Sequence, residues 1–309
     1  MPKIEYVEKN FRAESLALIA QINRIIADYE RQGYSLTLRQ VYYQLVARDV
    51  IPNTERSYKN IGNLISDARL AGEIDWDSIE DRTRMLRGNS HWETPEEIIY
   101  SAAESYHLDH WEGQRYYCEA WIEKDALVGV IERTCRELDV NFFSCRGYVS
   151  QSEMWNAAQR LINRRRHGHE IILFHLGDHD PSGKDMSRDI VDRLYTFGLE
   201  EFLFQRIALN MDQIEAFNPP PNPTKVTDTR ASAYISEFGH DCWELDALPP
   251  PVINDILRDH ILDYRDPALY GEIIEKEKNE IALLKEFAKN HSAIQDNWLE
   301  IEKLISQRK

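Results

Sequence analysis

The chain has 309 residues, 42% of them hydrophobic and 29% charged, the make-up of a soluble globular protein with room for two ordinary domains. No apolar run reaches membrane-spanning length, no signal peptide opens at Met1, and Cys118, Cys135, Cys145 and Cys242 show neither metal-site nor disulfide spacing, so a cytoplasmic protein with buried thiols is expected. The net charge of −16 argues against nucleic acid, but of the 37 Lys/Arg and 53 Asp/Glu, residues 1–95 hold 13 and 14, leaving 24 and 39 for the rest, and a basic face on the N-terminal part stays open.

Ile19, Ile22, Ile25, Ile26 and Tyr29 share a face at helical spacing, which predicts a long amphipathic helix over 10–31 that Gly33 stops. Thr37-Leu38-Arg39-Gln40 is a capping-box pattern opening a second helix to about Asp49. Residues 51–54 read as a turn, and a third helix is expected over 57–70. With Glu73-Ile74-Asp75-Trp76 behind it, this reads as a helix-turn-helix with a wing; a plain three-helix packing unit is the alternative. Arg56, Lys59 and Arg69, with Asn63, are suited to phosphates and base edges. On the second helix Leu38, Val41, Tyr42 and Leu45 form one stripe, so Tyr42 is expected in the core. Tyr43 is expected to be exposed, with Arg39 one turn behind it. A phenol, whose ordinary pKa is about 10, attacks poorly at neutral pH unless a guanidinium or a metal assists. The bland reading is a tyrosine packed on Arg39.

Residues 78–113 carry no clear motif and read as a connector. From Arg115 the pattern becomes regular. A strand over 116–122 ends in Glu123-Lys124, a helix covers 125–138, and a strand over 140–145 ends in Arg146-Gly147. Ser150-Gln151-Ser152-Glu153 opens the next helix. Ile171-Ile172-Leu173-Phe174, with Leu176 and Gly177 behind, is a buried strand running into Asp178-His179-Asp180-Pro181-Ser182-Gly183, then a helix to Phe197 and a strand over 202–209. Such alternation implies a parallel sheet with helices on both faces. Glu123, Asp178 and Asp180 all fall at carboxyl ends of strands, where ligands of open sheets sit, and three converging carboxylates suit Mg²⁺. Arg164-Arg165-Arg166-His167 reads as a solvated helix end, His175 as buried or paired, and 218–223 as a Pro-rich loop. Charged helices are expected over 273–289 and 297–307.

The set Glu123-Lys124-Asp125-Ala126, Gly147 and Asp178-His179-Asp180-Pro181-Ser182-Gly183 resembles the Toprim domain of topoisomerases, primases and related nucleases. Upstream, Arg39-Gln40-Val41-Tyr42-Tyr43 looks like the tyrosine motif of the topoisomerase VI A subunit, and Trp243-Glu244-Leu245-Asp246-Ala247-Leu248 looks like a late segment of the same subunit. The resemblance spans roughly residues 12–260, and by size it is nearest the free-standing Mini-A proteins of mobile elements. It implies an α/β fold in four parts: a winged-helix-like domain over 1–95, a connector over 96–114, a Toprim-like domain over 115–217 and a largely helical region over 218–309.

In function the resemblance implies a homodimer that cuts both strands of double-stranded DNA. Tyr43 would attack and become linked to the 5′ end, assisted by Arg39 and Glu123, while Glu123, Asp178 and Asp180 hold Mg²⁺. Arg56, Lys59 and Arg69 would meet DNA. In the family each site joins one subunit's tyrosine to the other's acids. The chain has no ATPase region, so strand passage would need a separate partner, such as an ATPase subunit, or would not occur. Two other functions compete: a Toprim nuclease that hydrolyses DNA with metal-bound water, and a non-catalytic DNA-binding regulator.

Overall fold

The fold is described from a computed structural model covering residues 3–80, 89–298, 300 and 302. The isoleucine stripe forms helix α1 (Ala13–Glu30) and buries Ile19, Ile22, Ile25, Ile26 and Tyr29. It packs on α2 (Leu38–Ala47) and α3 (Glu55–Leu70) around Val41, Leu45, Ile61 and Ile65. Between α1 and α2 lies the two-residue strand β1 (Leu36–Thr37), which pairs in parallel with β2 (Ile79–Glu80). The expected wing at 73–76 is therefore corrected. Asp75 accepts from the Asp77 N–H and turns the chain, so extended pairing starts only at Ile79.

Strands β3 (Tyr116–Ile122), β4 (Asn141–Ser144), β5 (Glu170–Leu176) and β6 (Leu203–Ala208) form a parallel sheet in the order β4-β3-β5-β6. This is the α/β architecture the alternation predicted. Helix α5 (Val128–Glu137) follows β3, α6 (Gln151–Arg166) follows β4, and α7 (Pro181–Thr196) follows β5. Side chains alternate along a strand, so β5 sends Ile171 and Leu173 toward α6 and α7. Phe174 goes to the other face, against His260 and Tyr264. His260 belongs to α10 (Pro250–Leu262), a helix that follows α8 (Met211–Phe217) and α9 (Ala231–Phe238). The expected loop at 218–223 contains a strand, β7 (Asn222–Pro223), paired antiparallel with β8 (Asp241–Cys242).

By its contacts the chain forms two compact units, Met1–Met85 with Tyr116–Tyr264, and Leu86–Arg115 with Arg265–Lys309. The first therefore holds both the three-helix bundle and the sheet. In the second, the supposed connector carries a helix, α4 (Pro95–Ser105), which packs on α11 (Pro267–Lys289). Its start was readable after all: Thr94 caps it, with Pro95, Glu96 and Glu97 in the first turn. The tail continues into α12 (His291–Asp296), and the helix expected over 297–307 falls mostly outside the described residues. No described helix is long and apolar enough to cross a membrane.

Candidate active site

The capping box predicted for α2 forms: Thr37 accepts from the Gln40 N–H, and Gln40 accepts in return from the Thr37 N–H at 2.8 Å. That fixes where the helix starts, and so which way Arg39 and Tyr43 face. Tyr42 and Tyr43 are both buried, each only 4% exposed, which corrects the expectation of an exposed Tyr43. Its outward side is covered by chain almost two hundred residues away, because its hydroxyl meets the Asn222 amide on β7 and the carboxylates of Glu244 and Asp246 lie close. Burial, with those two carboxylates, pushes the phenol well above its ordinary pKa. The Tyr42 hydroxyl donates to Asn53 at 2.9 Å, and Asn53 donates to the Asn222 amide oxygen at 2.7 Å. Asn53 thus links the Tyr42 hydroxyl to Asn222, the amide beside Tyr43.

At the carboxyl end of β3, Glu123 accepts from the Asp178 N–H at 2.9 Å. The loop after β5 passes so close that a Cβ on Gly183 would lie 2.2 Å from the Asp178 carbonyl oxygen, and one on Gly177 would lie 2.8 Å from Glu123 Oε2. At Gly183 the obstacle is backbone and only glycine fits, whereas at Gly177 a side chain would displace the Glu123 carboxylate. Asp180 caps α7 by accepting from the Gly183 N–H at 2.6 Å. Arg206, from β6, donates to the carbonyls of Gly177, Asp178 and Gly183 and so braces both ends of the loop. Burial and the neighbouring Asp178 and Asp180 carboxylates push Glu123 up to about 7.

The two halves of the first unit meet in a knot of ion pairs. Lys124 Nζ lies 2.8 Å from Asp178, 2.9 Å from Glu244 and 3.1 Å from Asp246. Arg39 pairs with the same Glu244 and, at 2.6 Å, with Asp246. Burial opposes the charge on Lys124, but Asp246, Asp178 and Glu244 outweigh it and raise its pKa. Burial likewise opposes the Glu244 charge, yet Lys124 and Arg39 hold that carboxyl down to about 2. Sequence reasoning gave Lys124, Glu244 and Asp246 no role of their own. The available signal was the spacing of Glu244 and Asp246, two acids one residue apart in an otherwise apolar stretch.

Arg39, Tyr43, Glu123, Asp180, Asn222 and Glu244 line one cleft of about 900 Å³. Asp178 does not. It is only 6% exposed, and its oxygens are taken by the Leu245 N–H at 2.8 Å and by Lys124. Of the three residues expected to hold Mg²⁺, Glu123 and Asp180 therefore face the cleft and Asp178 does not. Among the described residues, oxygens of Glu123, Asp178 and Asp180 are not gathered within 4.8 Å of one another. Glu123 and Asp180 do fit a hard cation: both face the cleft, and their mutual repulsion is what such an ion would relieve. Of the residues expected at DNA, Arg56 is exposed, and Lys59 is exposed and paired with Glu55 at 2.7 Å. Arg69 instead donates to the carbonyls of Trp76 and Ile79 and ties down the chain after α3. Comparison of the chain with protein-family models, curated proteins and solved structures finds no match in any of the three.

Proposed function

We propose that the chain is a divalent-cation-dependent DNA-cleaving transesterase of the topoisomerase VI A type, acting on double-stranded DNA through Tyr43. The observation that carries this reading is that Tyr43 and Arg39, from the helical bundle, share a cleft with Glu123 and Asp180 from the carboxyl edge of the sheet. In the proposed step the Tyr43 oxygen bonds to phosphorus as the bond to the 3′ oxygen breaks. The phenol proton ends on that departing oxygen, and no water is consumed. Asn222 orients the phenol, Arg39 faces the phosphate oxygens, and Glu123 and Asp180 are the residues that would hold Mg²⁺. A bound Mg²⁺ would offset charge developing on the phosphate. Asp178 then acts from behind, keeping Lys124 and Leu245 in place. The sheet would be the Toprim-like part and the bundle the winged-helix-like part. The homodimer and a separate ATPase subunit belong to the same proposal. The tyrosine and acids of one chain share one cleft, however, so the proposed site lies within a subunit and not, as the resemblance implied, between two.

A second reading has its own support. A phenol as buried as Tyr43, and with a raised pKa, is a reluctant nucleophile, which favours a nuclease using activated water. Trapping the protein on DNA under denaturing conditions separates the two. With the parent we expect a covalent adduct, and with Tyr43→Phe neither adduct nor cleavage. Tyr42→Phe keeps the ring and should still cut, with stability lower by about 1 kcal/mol for the lost bond to Asn53. Cleavage by Tyr43→Phe at the parent's rate would leave the hydrolytic nuclease standing.

A further inference from the structure

Glu244 occupies an unusual place for a carboxylate. Its side chain reaches the cleft wall between two cations, Arg39 and Lys124, while its other oxygen lies 3.5 Å from Asn222, the amide that meets the Tyr43 hydroxyl. The backbone on either side is pinned. Trp243 exchanges two hydrogen bonds with His179, at 2.8 and 2.9 Å, and the Leu245 N–H donates to Asp178. The Glu244 side chain can therefore leave by rotating its own bonds, without moving the chain. Its departure would not strand the cations either, because Asp246, 1% exposed and behind it, pairs with both. Arg39 is the more open of the two, at 41% side-chain exposure.

Two cations and an amide converging on an anion beside a tyrosine hydroxyl form a receptor for one tetrahedral anion, since guanidinium pairs with carboxylate and phosphate in the same forked geometry. We propose that Arg39, Lys124 and Asn222 form a subsite for a DNA phosphodiester, and that Glu244 fills it in the resting protein as a built-in competitor. The subsite rests on the DNA-cleaving reading above and adds its regulation. A phosphate enters by exchanging oxygen for oxygen on the same donors, and Tyr43 is approached only once Glu244 has turned away.

The test is a double-mutant cycle on DNA binding, read by fluorescence anisotropy with a short labelled duplex in the absence of divalent ions, so that no cleavage intervenes. Glu244→Gln should bind the duplex about tenfold more tightly than the parent, the scale of one displaced charged contact. In an Arg39→Gln background the same change should give little or no gain. Equal gains in both backgrounds would mean that only bulk charge had changed, and would overturn the subsite while leaving the DNA-cleaving function intact. No gain from Glu244→Gln in an otherwise folded protein would do the same. Failure of the parent and every variant to bind duplex would remove the function and the subsite together. Should Glu244→Gln not fold, Glu244→Asp draws the charge back by one methylene, and the same two backgrounds give the same supporting and overturning results.

Discussion

Tyr42 and Tyr43 are neighbours on α2 with equal burial, and only the partners of their hydroxyls separate them. Helical spacing could place their rings but not the chain that would later cover one of them, because Asn222 and Glu244 arrive from far along the sequence. His175 shows the same limit on a different group. It is fully buried, with Nδ1 3.0 Å from Ser187 Oγ and, among the described residues, no partner for Nε2. Burial, with the charge of Arg206, lowers its pKa from 6.5 to about 3. The folded protein thus keeps the ring neutral where the unfolded chain takes up a proton. The stability this confers is fully present above about pH 6.5 and is lost as pH falls toward 3, by about 1.4 kcal/mol per pH unit. Urea unfolding at neutral pH and near pH 5 should show a steeper loss for the parent than for His175→Gln. Parallel losses would mean that His175 does not titrate in this way.

At the scale of elements, α7 links helix capping to chemistry through Asp180, which caps the helix and faces the cleft. Asparagine caps as well as aspartate does, whereas alanine does not cap. Asp180→Asn should therefore melt near the parent while losing cleavage. Asp180→Ala should lose cleavage and also about 1 kcal/mol of stability. Thermal melts beside a cleavage assay test this, and an Asn variant cutting at full rate in Mg²⁺ would count against Asp180 as a ligand. The elements themselves were largely legible. Strand β3 runs over the residues its apolar run predicted, β5 differs by one at its start, and α2 begins at its capping box. These signals are local, held in consecutive residues. The knot of Arg39, Lys124, Asp178, Glu244 and Asp246 was not legible as a whole, since the paired acids Glu244 and Asp246 do not announce the Arg39, Lys124 and Asp178 that lie far from them in the chain. Helix α4 had a readable start at Thr94, but its packing on α11, which lies far along the chain, was not legible.

For the whole molecule, the net charge of −16 does not say which of the 37 Lys/Arg could meet DNA. Arg160 and Arg206 serve an internal acid and carbonyls, Arg69 holds two carbonyls of its own segment, and Arg39 and Lys124 are held by Glu244 and Asp246 in the resting protein. Arg12, Arg24, Arg31 and Arg48 are exposed on the bundle, as are Arg56 and Lys59, and Lys59 is paired with Glu55. If Arg56 and Lys59 meet phosphates, duplex affinity should fall as salt rises, and Lys59→Ala should reduce the slope of log affinity against log salt by about one. Arg69→Ala should instead lower stability and leave the slope unchanged. An affinity indifferent to salt would take the bundle away from DNA. The knot also bears on how the protein is made. Arg39 waits 205 residues for Glu244, and Lys124 waits 122 for Asp246. A ribosome delivers the tyrosine helix early, yet the groups that cover its hydroxyl emerge only after the whole sheet has been synthesised. If Tyr43 cuts DNA as proposed, a nascent or truncated chain lacks the site until Asp246 has been added, and the order of synthesis itself would keep a half-made chain from cutting.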